Sequence, residues 1–182
     1  KHRSLIKAFL DEADMSADAI KTVDFPPVYG VDIVVSCEKA KDLKNGSIYL
    51  KPTQFVLGIG CRRDTAFENI DRAIRQSLLK MQIDISDIDM IASIDVKKDE
   101  PGIKEFCERN RIDFVTYTAD ELMAVQGEFS ASQFVREHVG VDNVCERAAV
   151  LACSRECNEA GELIYKKHKY DRVTVAAARY PD

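Results

Sequence analysis

From Gln54 to the end of the chain, apolar runs of strand length alternate with segments of helical period, joined by short polar connections. That alternation admits few folds. Helices must return over a sheet to bury their apolar stripes, which predicts an α/β class: a three-layer α/β/α sandwich around a mostly parallel or mixed sheet of about five strands. The first run, Phe55 to Ile59, is almost unbroken in apolar character, as expected of a central strand covered on both faces. After it, Ala66, Ile70, Ala73, Ile74, Leu78 and Met81 recur at helical intervals, with Thr65 and Glu68 at capping-box spacing. Met90 to Val96 predicts a second strand. Asp99 then caps a helix with Pro101 in its first turn and Ile103, Phe106 and Cys107 inward. Ile112 to Tyr117 predicts a third strand, and Thr118 and Glu121 repeat the capping-box spacing before Leu122, Met123 and Val125. Helices are expected from Ser132 toward Gly140 and over Val144 to Cys153, and two last strands over Leu163 to Tyr165 and Val173 to Ala178.

The region before Gln54 reads differently. It opens without methionine in an amphipathic pattern (Leu5, Ile6, Phe9, Leu10), as part of a longer chain would. Two short apolar runs, Ile33 to Ser36 and Ile48 to Leu50, flank the polar turn "DLKNGS". Two short strands around an Asn-Gly turn cannot enclose a core alone. Residues 1–51 are therefore expected to be the tail of a preceding region or an arm on the main domain, which takes 52–182.

Charge and cysteine usage narrow the function classes. With 31 acidic against 26 basic residues the net charge is -5, so no general field attracts a nucleic-acid backbone, and no nucleic-acid partner is expected. No apolar run approaches the roughly 18 residues of a membrane helix, so no membrane partner is expected and the default location is cytoplasmic. The six cysteines (Cys37, Cys61, Cys107, Cys145, Cys153, Cys157) include no Cys-x-x-Cys pair and read as reduced thiols, without a protein metal site.

Three stretches carry possible chemistry. In "FVLGIGCRRDTAFENI" a strand ends in Gly58-x-Gly60 and runs into a helix, an arrangement dinucleotide folds use to approach a pyrophosphate. The third glycine is replaced by Arg63 and no Walker Gly-Lys-Ser/Thr follows, which leaves a strand-to-helix turn offering Arg62 and Arg63 to an anion. Cys61 is a possible nucleophile whose pKa the arginines and helix start would lower; the other reading is a small residue packed at the strand end. "DVKKDEPG" offers either helix-cap acids with solvated lysines, or a carboxylate-holding Lys97 beside Glu100 as general base. "YKKHKYDRVTVA" gathers Lys166, Lys167, His168, Lys169 and Arg172 at an expected turn, either a solvated loop or an anion patch.

Taken together, "LGIGCRRDT", "SIDVKKDEPG", "S..FVREHVGVDNVCERAAVL" and "KHKYDRVTVAAAR", in this order, resemble the C-terminal domain of the cobalamin biosynthesis protein G family (CbiG), to which CobE is similar. The resemblance covers about Pro52 to Arg179, with the leading residues similar to the end of that family's central region. It implies cobalt-precorrin-5A hydrolase activity in the anaerobic cobalamin pathway: water opens a δ-lactone on a contracted macrocycle, and acetaldehyde leaves. It also implies a cobalt-bearing tetrapyrrole as substrate, so that cobalt arrives with the substrate and no cofactor belongs to the protein. Possible partners are an N-terminal domain or other enzymes of the pathway. On this reading Gly58, Gly60, Cys61, Arg62, Arg63, Lys97, Lys167 and Lys169 are expected to bind substrate carboxylates, Glu100 is the first choice for activating water and His168 the second. The alternative is a non-catalytic module that binds or carries a tetrapyrrole intermediate.

Overall fold

The computed structural model describes residues 33–35, 48–50, 55–131, 140–157 and 160–181. The expected helices at the start of the chain and from Ser132 toward Gly140 lie outside them. The chain divides into two compact units between Thr53 and Gln54. In the first, β1 (Ile33–Val35) and β2 (Ile48–Leu50) pair with each other in parallel. Parallel neighbours need a crossover rather than a tight turn, so the Asn-Gly hairpin expected at "DLKNGS" is not what joins them.

The second unit holds a five-stranded sheet in the order β5-β4-β3-β7-β6. Its strands are β3 (Phe55–Cys61), β4 (Ile88–Ile94), β5 (Asp113–Tyr117), β6 (Glu162–Lys169) and β7 (Val173–Arg179). The first three run parallel, β7 runs antiparallel to β3, and β6 antiparallel to β7, so the sheet is mixed. Helices α1 (Phe67–Met81) and α2 (Pro101–Asn110) cover one face, α3 (Ala119–Ala124) and α4 (Val144–Cys157) the other. These are the three expected layers.

The unbroken apolar character of β3 follows from its place in the middle. Leu57 and Ile59 bury toward α1 and α2 with Ile70, Ile74, Ile103 and Phe106, while Val56 buries toward α4 with Ala148, Ala149 and Ala152. Each fully buried leucine or isoleucine contributes about 2 kcal/mol by area removed from water. On the α4 side the approach is closer than side chains allow: a Cβ built on Gly58 would lie 1.7 Å from the Cys145 carbonyl oxygen. Gly58 is required there so that the first turn of α4 can rest on the strand backbone.

Several local expectations need correction. Thr65 and Glu68 do not form a capping box, because α1 starts at Phe67 with Ala66 as its N-cap. The cap of α2 is Glu100 rather than Asp99, with Pro101 next; Asp99 is exposed and lies 3.7 Å from Lys104. Thr118 and Glu121 do form the expected box, the Thr118 side chain accepting from the Glu121 amide and the Glu121 carboxylate from the Thr118 amide. Strand β6 runs to Lys169, so the lysines expected around a turn lie on an edge strand, and the turn is Tyr170 to Arg172. Charged side chains are common on such edges because they discourage further strand pairing.

Candidate functional site at the carboxyl end of β3

Three of the singled-out motifs meet on one rim. The pairing of β3 with β4 stops at Gly58 and Ala92, although both strands continue, and the buried Ser93 hydroxyl bridges them by donating to the Ile59 carbonyl at 2.6 Å. Beyond that point the first loop, Arg62 to Ala66, is held from two sides. From the β4 side, Glu100 accepts the Thr65 amide at 3.0 Å, and Gly102 stands where a Cβ would come within 2.2 Å of the Thr65 carbonyl oxygen. From the β7 side, the Arg172 carbonyl accepts the Arg62 amide at 3.0 Å and the Arg172 guanidinium donates to the Arg63 carbonyl at 3.0 Å. Asp64, at φ 55, makes the left-handed step within this loop, a conformation aspartate tolerates better than most residues. The Thr65 hydroxyl donates to the Arg62 carbonyl at 2.7 Å and so closes the turn on itself.

The expected binding residues divide by what already occupies them. Lys97 is largely withdrawn from solvent and ion-paired to Glu100 at 2.8 Å. Lys167 donates from its amide to Glu146 at 2.6 Å and from its ammonium to the Ser130 carbonyl at 2.9 Å. Arg62, Arg63 and Lys169 are exposed, and among the described residues none is ion-paired. Gly58 is packed under α4 and is unavailable to a ligand, so that expectation is corrected: its role is the close approach of the helix. A Cβ on Gly60 would meet the Thr174 hydroxyl at 2.7 Å, and that hydroxyl donates back to the Gly60 carbonyl at 3.2 Å. Cys61 does not gain a low pKa. Burial pushes its thiol up to about 11, outweighing the opposing influence of Lys97 and Arg172, so it is protonated at neutral pH and unsuited to nucleophilic attack.

The two candidate bases sit in different settings. Glu100 is 6% exposed, with one oxygen on the Thr65 amide and the other on Lys97. His168 pairs in register with Val175, stacks on Tyr165 with ring centroids 4.1 Å apart, and its Nδ1 lies 2.8 Å from the Lys166 carbonyl oxygen. The loop bearing Glu100 follows β4 and His168 lies on β6, three strand intervals away, or about 14 Å at ordinary strand spacing. The two do not converge on one atom.

One residue of the third quoted motif was given no site role from the sequence. Glu146, fully buried in the first turn of α4, accepts the Ser130 amide at 2.7 Å and hydroxyl at 2.8 Å as well as the Lys167 amide. Asn143 ties the same node together, accepting the Glu146 amide and donating to the Ser130 carbonyl, both at 2.9 Å. Two adjacent charged residues, Glu146 and Arg147, inside the otherwise apolar run "VCERAAVLAC" were the available signal.

Comparison with known proteins places this arrangement. The family model for the cobalamin synthesis G C-terminus matches residues 55–178. A cobalt-precorrin-5A hydrolase of Salmonella typhimurium is 38% identical over 102 residues, which cover 56% of this chain and 29% of that protein. A probable cobalt-precorrin-5A hydrolase of Methanocaldococcus jannaschii is 30% identical over 146 residues, 78% of this chain and 45% of that one. The chain thus spans less than half the length of these two relatives. Among solved structures, CobE from the cobalamin (vitamin B12) biosynthetic pathway superposes with a TM-score of 0.67 at 26% identity, covering 71% of this chain and 92% of CobE. A putative cobalamin biosynthesis protein G homolog from Sulfolobus solfataricus has a TM-score of 0.57 at 22% identity, covering 88% of this chain and 48% of the homolog, and shares the fold. No helix among the described residues is long and apolar enough to cross a membrane. The chain belongs to the family of the cobalamin synthesis G C-terminus.

Proposed function

We propose that this chain is the C-terminal part of a cobalt-precorrin-5A hydrolase and that the rim at the carboxyl end of β3 holds the carboxylate fringe of the macrocycle. The observation that carries this reading is the junction of the first, second and final motifs on that rim, through Thr65, Glu100 and Arg172, with the Arg62 and Arg63 side chains left exposed and unpaired. The Lys169 ammonium adds a further exposed cation on the edge strand. Guanidinium groups suit acetate and propionate arms because their planar fork matches a carboxylate.

In the proposed reaction, water adds to the lactone carbonyl and the ring carbon–oxygen bond breaks, leaving a carboxylate and a hydroxyl. Loss of the hydroxyl proton and cleavage of the adjacent carbon–carbon bond then release acetaldehyde, with the electron pair staying on the macrocycle. The exposed cations would hold the arms and offset the negative charge that develops as the lactone opens. Glu100 touches the first loop through the Thr65 amide, but with its oxygens on an amide and an ammonium it is better fitted to hold the two loops in register than to take a proton from water. His168, whose Nδ1 faces the Lys166 carbonyl, is then the group with the freer nitrogen for that task.

Incubation of the chain with cobalt-precorrin-5A and measurement of acetaldehyde tests the reading. Release that is lost in His168→Gln, with substrate affinity retained, supports catalysis by this chain. The second reading, a tetrapyrrole-binding module without chemistry of its own, is favoured by the coverage of 92% of CobE and by the engaged state of Glu100. Tight binding with no acetaldehyde would select it.

A further inference from the structure

Of the three arginines partly or wholly withdrawn from solvent among the described residues, Arg147 pairs with Asp142 and Arg179 with Glu162, both at 2.7 Å. Arg172 has no carboxylate partner among the described residues. Its Nε is buried and lacks a hydrogen-bond acceptor, and its one side-chain hydrogen bond runs from Nη2 to the Arg63 carbonyl. The outer part of the guanidinium borders solvent, where a charge without a carboxylate neighbour is open to an incoming anion. Its charge also bears on the rim itself, favouring the thiolate of Cys61 against the larger effect of burial. Around it stand the first loop, gripped through the Arg62 amide and the Arg63 carbonyl, and the start of β7.

We propose that Arg172 is a further binding residue of this rim, receiving a carboxylate of the ligand through its guanidinium fork and, through its grip on Arg62 and Arg63, setting the first loop for that ligand. This rests on the macrocycle reading above for the identity of the ligand, but not for its chemical class, which is a carboxylate. Exposed Arg62 and Arg63 can meet an arm in many geometries, whereas Arg172 is held at both its backbone and its guanidinium. A held fork selects where the arm must lie.

The test is equilibrium binding by the full chain of two cobalt corrinoids: cobyrinic acid, whose arms are all free carboxylates, and cobyric acid, in which all but one are amides. Arg172→Gln is expected to weaken cobyrinic acid about tenfold, the effect of one charge-assisted pair, while changing cobyric acid by less than about twofold. Arg172→Lys should recover part of the loss, since the charge is kept and the fork is not. Equal loss for both corrinoids would make Arg172 a loop fastener only, and no loss for either would also overturn the proposal. If the unaltered chain binds neither corrinoid, the macrocycle reading fails by itself, and citrate serves as the probe: a shift of the Arg172 Nε–H resonance on citrate addition keeps Arg172 as a carboxylate receiver, and no shift removes it.

Discussion

The two surroundings of β3 are built on opposite principles. On its α4 face the strand meets a helix backbone at Gly58, with alanines filling the contact and almost no polar atom involved. At its carboxyl end, one residue past Gly60, the chain turns into a loop held by charge and hydrogen bonds: Glu100 on one side, Arg172 on the other, two exposed arginines between. The motif "LGIGCRR" therefore serves two purposes within a few residues. Its glycine sets helix packing, and its arginines face outward. The first environment tolerates no added atom, while the second is expected to accept an anion.

The largest effect expected is on the packed face. Gly58→Ala forces a methyl into the Cys145 carbonyl, so α4 must move, and a loss of about 3 kcal/mol or more in urea unfolding is expected. An unchanged midpoint would show that α4 does not seat on β3. Next comes the polar end. Glu100→Gln strands the largely buried Lys97 without its anion and weakens the hold on Thr65, for a loss of about 3 kcal/mol. If stability is unaffected and only acetaldehyde release disappears, Glu100 is the base rather than the fastener.

What the sequence revealed and what it hid follow the same division. Strands and inward faces were legible because period and burial are local properties, and the Thr118 box was legible because both partners lie within one turn. Thr65 and Glu68 have the same spacing, yet Thr65 gives its amide to Glu100, 35 residues away, and α1 begins only at Phe67. Gly58 pointed to an anion loop because its true neighbour, Cys145, is remote in the chain. The lysines of β6 looked like a loop because an edge strand bearing charge lacks the apolar alternation that marks a strand. The rim cations were legible as residue types, but not their pairing: Lys97 is neutralised by Glu100, and Lys167 is engaged by Ser130.

Smaller effects sharpen the contrast. Alkylation at Cys61, followed peptide by peptide, should rise with pH well beyond 9.0, the ordinary thiol value, toward about 11, because burial disfavours its thiolate. A rate already level at neutral pH would restore the nucleophile reading. Thr118→Ala, at the exposed start of α3, should cost only about 1 kcal/mol. The bonds from Thr118 and Arg155 hold the Glu121 carboxyl below its usual range, so its contribution to stability is present at neutral pH and is lost as pH falls through that lowered value. A stability difference between Glu121→Gln and the unaltered chain that grows on acidification would contradict this sign.

The most direct measurement is the affinity of the Arg62→Ala, Arg63→Ala double variant for cobalt-precorrin-5A. Removal of two unpaired guanidinium groups from a carboxylate-binding rim should weaken binding about a hundredfold, with urea stability unchanged because neither side chain is packed. Affinity equal to that of the unaltered chain would place the macrocycle elsewhere and contradict the assignment of this rim.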